Sequence, residues 1–332
     1  MNLPYRIQIL SELGRYMLSD SNLWKDVKEK SYRENGWFIP EFINLAVSNI
    51  AKQFLKKEVL ENWATSENVP EVNQTPCKAG IIMAGNIPLV GFHDLLSVFI
   101  SGHQAIIKPS TKDSILIKHL VAVMQGWDDE IRNQITFSEM LKNCNAYIAT
   151  GSNNSSRYFE YYFGRYPHII RRNRTSVAIL TGDETDTELS GLADDVYQYF
   201  GLGCRNVTKI YVPSQYDFIP LLNAFKKYNW MADHHKYKNN YDYNLALHIL
   251  NKKYYMTNGS IILTEEASVF SPISQLNYEF YSEKEQLLTL LEISPDLQCI
   301  ISREKTGFGK AQFPAVSDYA DGVNTLSFLK EL

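Results

Sequence analysis

The thiol of Cys204 stands in Gly201-Leu202-Gly203-Cys204-Arg205-Asn206, between an amphipathic stretch and the apolar run Val207-Thr208-Lys209-Ile210-Tyr211-Val212. Two glycines ahead of a thiol let the backbone turn tightly and bring the sulfur close to a bound ligand. A neighbouring arginine favours the thiolate, the form that attacks carbonyls. The hexapeptide alone fits a buried structural cysteine after a helix-capping glycine as well. The feature that separates these readings lies upstream, in Ala84-Gly85-Asn86-Ile87-Pro88-Leu89 at a strand-to-helix turn. It is followed by His103-Gln104-Ala105-Ile106-Ile107-Lys108-Pro109-Ser110, and then by Ala149-Thr150-Gly151-Ser152 at another strand end. The chain has neither a GxGxxG nor a Walker fingerprint, and Gly201-x-Gly203 lacks the third glycine, so a cofactor site cannot be argued from those patterns.

These segments sit in an alternation of strands and helices. Ala79 to Ala84, Gln104 to Lys108 and Asn145 to Thr150 read as short apolar strands. Leu89 to Ser101, Asp113 to Gln125 (with Asp113 as N-cap) and Ser155 to Gly164 read as the helices between and after them. Such repetition implies a parallel sheet covered by helices, the setting of a nucleotide-binding domain. Ser176 to Leu180 and Val207 to Val212 continue the pattern as strands flanking a helix from about Thr187 to Phe200. Helices are expected near 218–228 and 243–255, and strands at Gly259 to Thr264 and Leu297 to Ser302. The polar, aromatic segment from Tyr228 to Tyr243 reads as a surface loop, and His234-His235 has no further ligands at metal spacing. No metal site is expected. Ahead of the sheet, Ile7, Leu10, Leu13 and Met17, then Phe42, Leu45, Ala46, Ile50 and Phe54, recur at helical spacing.

At 332 residues the chain is long enough for about two domains with full cores. The expected division is a helical lead-in over 1–75, a cofactor domain over 76–175, a catalytic domain over 176–315 and a tail over 316–332. With 45% hydrophobic and 21% charged residues the composition is that of a globular protein. The net charge of −4 and the lack of a long Lys/Arg block give no reason to expect nucleic acid or an anionic membrane as partner. Met1-Asn2-Leu3-Pro4-Tyr5-Arg6 lacks a signal-peptide core, and apolar stretches such as Leu95 to Ile100 are too short to span a bilayer. Four separated cysteines without CxxC spacing suit a reducing compartment, so a cytoplasmic protein is expected.

Taken in order, the Asn-x-Pro-Leu turn at Asn86, the strand ending Lys108-Pro109-Ser110, the Thr150-Gly151-Ser152 turn and the Gly-x-x-Cys segment at Cys204 resemble the aldehyde dehydrogenase superfamily. The chain is most similar to its acyl-CoA reductase branch, the LuxC-type fatty-acid reductases. Three stretches carry that likeness: Gly85 to Leu96, Arg172-Asn173-Arg174-Thr175-Ser176-Val177-Ala178, and Asp318-Tyr319-Ala320-Asp321-Gly322. The resemblance runs from about residue 78 to the C-terminus, and the chain is shorter than typical members, which puts loops or an oligomerisation hairpin in question.

The resemblance implies an α/β, aldehyde-dehydrogenase-like fold and an NAD(P)H-dependent reduction of a fatty acyl-CoA or other acyl thioester to the aldehyde. Cys204 would take the acyl group as an enzyme thioester. The Asn86 side-chain NH2 and the Cys204 backbone N–H would hold the oxyanion; a plain turn asparagine is the alternative. Lys108 would meet the adenosine ribose, with Ser110 and Thr111 beside it. Thr150, Gly151 and Ser152 would approach the pyrophosphate, Ser152 being equally readable as an N-cap. Where the family often carries a ribose-binding glutamate this chain has Thr111 followed by Lys112, which favours NADPH, with NADH as the alternative. The glutamate ahead of the family's Phe-Gly-Pro corresponds to Ser268 before Phe270-Ser271-Pro272.

The family's hydrolytic members also carry a base glutamate before the cysteine. Here that place falls in Ile169-Ile170-Arg171-Arg172. Without a carboxylate to activate water, transfer to or from a thiol such as CoA is favoured. Asp183 and Glu184 fit a helix N-terminus better than a base, and His93 next to Asp94 fits a polar helix face. The resemblance also implies a homo-oligomer. The alternatives are a reductase of an acyl phosphate or of an acyl group handed over by a protein synthetase, and a non-catalytic subunit of a multi-enzyme complex.

Overall fold

A computed structural model describes the backbone of residues 1–332 and every side chain but that of Asn153. The chain forms two compact units, residues 1–173 together with 314–332, and residues 174–313.

The first unit opens with helices α1 (Leu3–Met17), α2 (Asn22–Glu34), α3 (Pro40–Asn49), which runs into a π-helical turn at Ile50–Phe54, and α4 (Lys57–Ser66). Asn2 caps α1 by accepting the Tyr5 N–H at 3.0 Å, and Pro4 suits the first turn. Ile7, Leu10, Leu13 and Met17 are all buried, as their spacing demands. The sheet elements follow: β1 (Lys78–Ile82), α5 (Phe92–Ile100), β2 (Gln104–Lys108), α6 (Ile115–Trp127), α7 (Ile131–Gln134), β3 (Ile135–Phe137), β4 (Ala146–Thr150), α8 (Asn153–Phe163) and β5 (His168–Arg171). All five strands are parallel, in the order β3-β2-β1-β4-β5. Ala79, Ile81, Ala105, Ile107 and Ile148 are wholly buried, which is why these strands read as continuous apolar runs.

The second unit contains β6 (Thr175–Ile179), α9 (Asp186–Tyr197), β7 (Val207–Pro213), α10 (Phe218–Ala224), α11 (His235–Leu250), β8 (Met256–Thr257), β9 (Ile262–Glu265), β10 (Gln275–Tyr281), α12 (Lys284–Glu292) and β11 (Leu297–Ile301). Its sheet runs β11-β6-β7-β10-β9-β8, parallel except for the β8/β9 pair. A last helix, α13 (Thr325–Lys330), belongs to the first unit. His103 anchors it there: its Nδ1 accepts the Cys77 N–H at 3.0 Å, so Nε2 carries the proton and donates to Leu329 O at 2.9 Å.

Several local expectations are corrected. Helix α5 begins at Phe92, because Leu89 takes the left-handed conformation with φ +57° and a helix cannot start through it. Asp113 is no N-cap: α6 starts at Ile115 after Ser114, and the Asp113 carboxylate turns inward. The segment 228–243 is no loop but a 3-10 run at Phe225–Asp233 followed by α11. Tyr228, Met231, Tyr237 and Tyr241 are its buried anchors, and His234 is the N-cap of α11, its ring accepting the Tyr237 N–H at 3.4 Å. His93 is held within the first unit, its Nε2 2.7 Å from Val316 O and its ring edge-on to Phe54 and Tyr319. Among the described residues no helix is long and apolar enough to cross a membrane, and no group of three or more His, Cys, Asp or Glu could hold a metal ion.

Candidate active site

In the first unit, strand register gathers three of the singled-out segments. Ile82 at the end of β1 is opposite Lys108 of β2 and Ala149 of β4. The Asn86 turn, the Lys108–Thr111 segment and Thr150–Ser152 therefore all leave the carboxyl ends of three adjacent parallel strands. The chain winds from β1 towards β2 and β3 on one side and returns through β4 and β5 on the other. That reversal is where open α/β sheets bind ligands. Asn86, Lys108, Thr111 and Ser152 are exposed, while Ser110, Thr150 and Gly151 are half-buried.

The turns themselves are closely moulded. A Cβ on Gly85 would lie 2.4 Å from Ser110 Oγ, so only glycine lets the Asn86 turn meet the Ser110 segment. A Cβ on Gly151 would meet Phe159 at 2.8 Å and Ser155 at 2.9 Å, which explains the glycine where α8 packs back on β4. Ser152 Oγ accepts the Ser155 N–H at 3.3 Å and so caps α8. Strand β5 carries the Ile169-Ile170-Arg171 stretch and presents no carboxylate. Arg171 forms a buried ion pair with Asp94 at 2.5 Å and donates to Thr325 Oγ1 at 3.0 Å.

In the second unit the Cys204 segment links a 3-10 turn at Gln198–Gly201 to β7. Tyr199 and Phe200 are buried and left-handed, with φ of 55° and 57°, and Gly201 follows at 73°. For L-residues this costs roughly 1–2 kcal/mol each, a strain of the kind that surrounding structure must over-determine. Asn206, wholly buried, supplies much of that restraint. Its Oδ1 accepts the Gly203 N–H at 2.8 Å, and its Nδ2 donates to the carbonyls of Asp195 (3.0 Å), Val196 (3.4 Å) and Gln198 (2.8 Å). One side chain thus ties the end of α9 to the residue before the cysteine. Asn206→Ala leaves these buried groups without their partner, and we expect it to destabilise the protein by about 3–5 kcal/mol. A denaturant midpoint equal to wild type would contradict this.

Cys204 is half-buried and forms no disulfide. Its carbonyl accepts the hydroxyl of Ser176 on β6 at 3.1 Å. The same hydroxyl lies 3.0 Å from the Cys299 sulfur on β11. Burial pushes the Cys299 thiol up, against the opposing pull of Arg205, so this second sulfur is held as the inert thiol form. Around the Ser268 segment, Asn277 Nδ2 donates to Ser268 O at 2.9 Å and Phe270 O at 3.1 Å, closing that loop from within.

Two more groups frame α9. Thr185 and Glu188 form a capping box at its start. Arg303 and the Thr185 N–H hold the Glu188 carboxyl down to about 2, and Arg303 also pairs with Asp183 at 3.0 Å. Asp195, nearer the end of the helix, accepts the N–H of Gly309 at 2.7 Å and of Ala311 at 2.9 Å, yet burial pushes its carboxyl up to about 7.

A raised carboxyl keeps its proton in the folded state between the unfolded value, about 4, and that folded value. Its contribution to stability is full below the lower limit and is lost as pH rises through the upper one. The melting-temperature advantage of wild type over Asp195→Asn should therefore shrink as pH rises from about 4 to 7. An advantage that grows over that window would contradict the assignment.

Neither Asn206, Ser176 nor Asp195 was singled out by residue type and spacing. Asn206 lay within the cysteine hexapeptide itself, and a polar residue entering an apolar strand was the available signal.

The sequence of the acyl-CoA reductase (LuxC) family matches residues 44–219. No curated protein matches the chain by sequence. Among solved structures, aldehyde dehydrogenase 21 from Physcomitrella patens in complex with succinate is similar at a TM-score of 0.66 and 12% identity, over 95% of this chain and 77% of that one. The Mycobacterium tuberculosis aldehyde dehydrogenase complexed with NAD+ is similar at 0.63 and 12%, over 89% and 72%. The NAD-dependent aldehyde dehydrogenase from Sinorhizobium meliloti is similar at 0.66 and 11%, over 91% and 70%. At such identities the likeness is one of fold. The family match spans more than half of the chain and covers the Asn86, Lys108, Thr150 and Cys204 segments together: the chain belongs to the acyl-CoA reductase (LuxC) family of oxidoreductases, and its fold is that of the aldehyde dehydrogenases.

Proposed function

We propose that the protein reduces an acyl thioester, acyl-CoA in the first instance, to the aldehyde, with Cys204 as nucleophile and NADPH as reductant. The observation that carries this reading is β5: a family member whose strand at the place of the hydrolytic base holds Ile170 and a salt-bridged Arg171 has no carboxylate there to activate water. The Cys204 thiolate adds to the thioester carbonyl, and the Asn86 amide and the Cys204 N–H take the oxyanion. Collapse expels the CoA thiol and leaves the acyl group on sulfur. NADPH, when bound, would supply the hydride that turns the acyl carbon into a hemithioacetal. The hemithioacetal on Cys204 then releases aldehyde and returns the thiol.

The residues at the sheet's carboxyl edge suit a dinucleotide. Lys108 is exposed at the end of β2, and 108–112 contains no acidic side chain. The nicotinamide assignment also draws on the Mycobacterium tuberculosis neighbour, a complex with NAD+. Exposed Thr111 and Lys112 would accept a 2′-phosphate, and a carboxylate there would repel it. Thr111→Glu should raise the KM for NADPH about tenfold and improve use of NADH; unchanged cofactor preference would contradict that contact.

The same reading includes a homo-oligomer and a cytoplasmic setting for four cysteines that form no disulfide. Consumption of NADPH on addition of acyl-CoA of graded chain length, with stoichiometric aldehyde and free CoA, tests the whole proposal. Turnover only with an acyl phosphate or with a synthetase-borne acyl group would replace the substrate and keep the chemistry. No turnover with any activated acyl group would overturn it.

A further inference from the structure

We propose that Asp113 is the positioning residue of the Asn86 turn, its carboxylate clamping the Leu89 amide so that the turn keeps one conformation. Leu89 stands three residues after Asn86 with φ +57° and is almost wholly buried. A branched side chain in the left-handed region is disfavoured and persists only where its surroundings enforce it. The enforcing contact is the bond from Leu89 N–H to Asp113 Oδ2 at 2.6 Å, with both residues buried. Leu89 O in turn accepts the Phe92 N–H at 2.9 Å, which starts α5.

On its other side the turn is set against the same segment, since Gly85 has no room for a Cβ beside Ser110. Ser110 O accepts the Asp113 N–H at 3.2 Å, and Ser110 Oγ accepts the Lys112 N–H at 3.2 Å. Residues 110–113 therefore form a mould, and the turn bearing Asn86 is cast in it. The fold itself has little use for this carboxylate. It does not cap α6, and its Oδ1 is buried with no hydrogen-bond partner among the described residues. Burial accordingly pushes the group up to about 7. A buried acid with one oxygen unsatisfied is a standing cost to stability, and holding the turn at Leu89 is what it accomplishes in return.

The inference rests on Asn86 being the oxyanion donor of the proposed reaction. The test compares wild type, Asp113→Ala, Asp113→Asn and Asn86→Ala for kcat, for KM of acyl-CoA and of NADPH, and for the rate of Cys204 acylation without cofactor. Asp113→Ala should lower kcat and the acylation rate by about tenfold or more, with both KM values within about twofold. Asp113→Asn, whose carboxamide oxygen can still accept the Leu89 N–H, should recover to within about threefold of wild type. A merely structural role would move the melting temperature and leave no such split.

Asp113→Ala with wild-type kcat, or Asp113→Asn as impaired as Asp113→Ala, overturns the inference. If Asp113→Ala does not fold, Asp113→Asn alone decides: a rate within about threefold supports the clamp, and a loss of about tenfold overturns it. Asn86→Ala acylating at the wild-type rate would instead overturn the reading of the site itself, whatever the Asp113 variants do.

Discussion

Cys204→Ser is expected to lower the proposed acyl-CoA reduction to below about a thousandth of the wild-type rate while the protein remains folded. A serine hydroxyl is a far weaker nucleophile than a thiolate at neutral pH. The fold should tolerate the change, because Cys204 is only half-buried and its segment is tied down through its neighbours. Asn206 holds Gly203, and Ser176 bonds the Cys204 carbonyl rather than its sulfur. The same experiment on Cys299 is the control. Its thiol is pushed up by burial, so Cys299→Ser should retain most activity, and loss of turnover there with Cys204→Ser active would reverse the assignment of the nucleophile. Steady-state NADPH oxidation, with a thermal melt for each variant, reads both results.

Asn86→Ala should lower kcat by about a hundredfold to a thousandfold and leave the KM for acyl-CoA within a few-fold, the signature expected of a contact made to the developing oxyanion and not to the ground state. Asn86 is exposed, so its removal should cost little stability, in contrast to Asn206. The pair makes a sharp comparison: one asparagine with a large kinetic effect and a small melting shift, the other with a large melting shift. A rise in KM with kcat unchanged would instead make Asn86 a uniform binding contact.

The parallel sheets were legible because buried parallel strands are apolar throughout. Gln104–Lys108 was read with its observed bounds, and Ala79 to Ala84 and Asn145 to Thr150 differ from β1 and β4 by a residue or two. Strands β3, β5 and β10 were missed for physical reasons. The first is three residues long, and the second mixes His168 and Arg171 into an edge position. The third alternates polar and aromatic residues because Asn277 is buried for its hydrogen bonds to Ser268 and Phe270, not for its apolarity.

The segment 228–243 misled in the opposite sense. Its polarity suggested a loop, while Tyr228, Met231, Tyr237 and Tyr241 kept a buried stripe. Motif order brought out the side chains proposed to touch substrate or cofactor. The side chains that hold them, Asp113, Asn206 and Ser176, act through backbone atoms of other residues. No residue pattern encodes which amide a carboxylate or carboxamide will meet.

The account stands most directly on the covalent acyl-enzyme. Mixing the protein with a stoichiometric amount of acyl-CoA in the absence of cofactor, quenching in acid and mapping peptides by mass spectrometry measures it. The expected result is release of about one CoA per chain, an acyl mass increment confined to the peptide bearing Cys204, and its disappearance on adding NADPH as aldehyde appears. An increment on Cys77, Cys144 or Cys299, or NADPH-dependent aldehyde formation with no acylated cysteine, would contradict it.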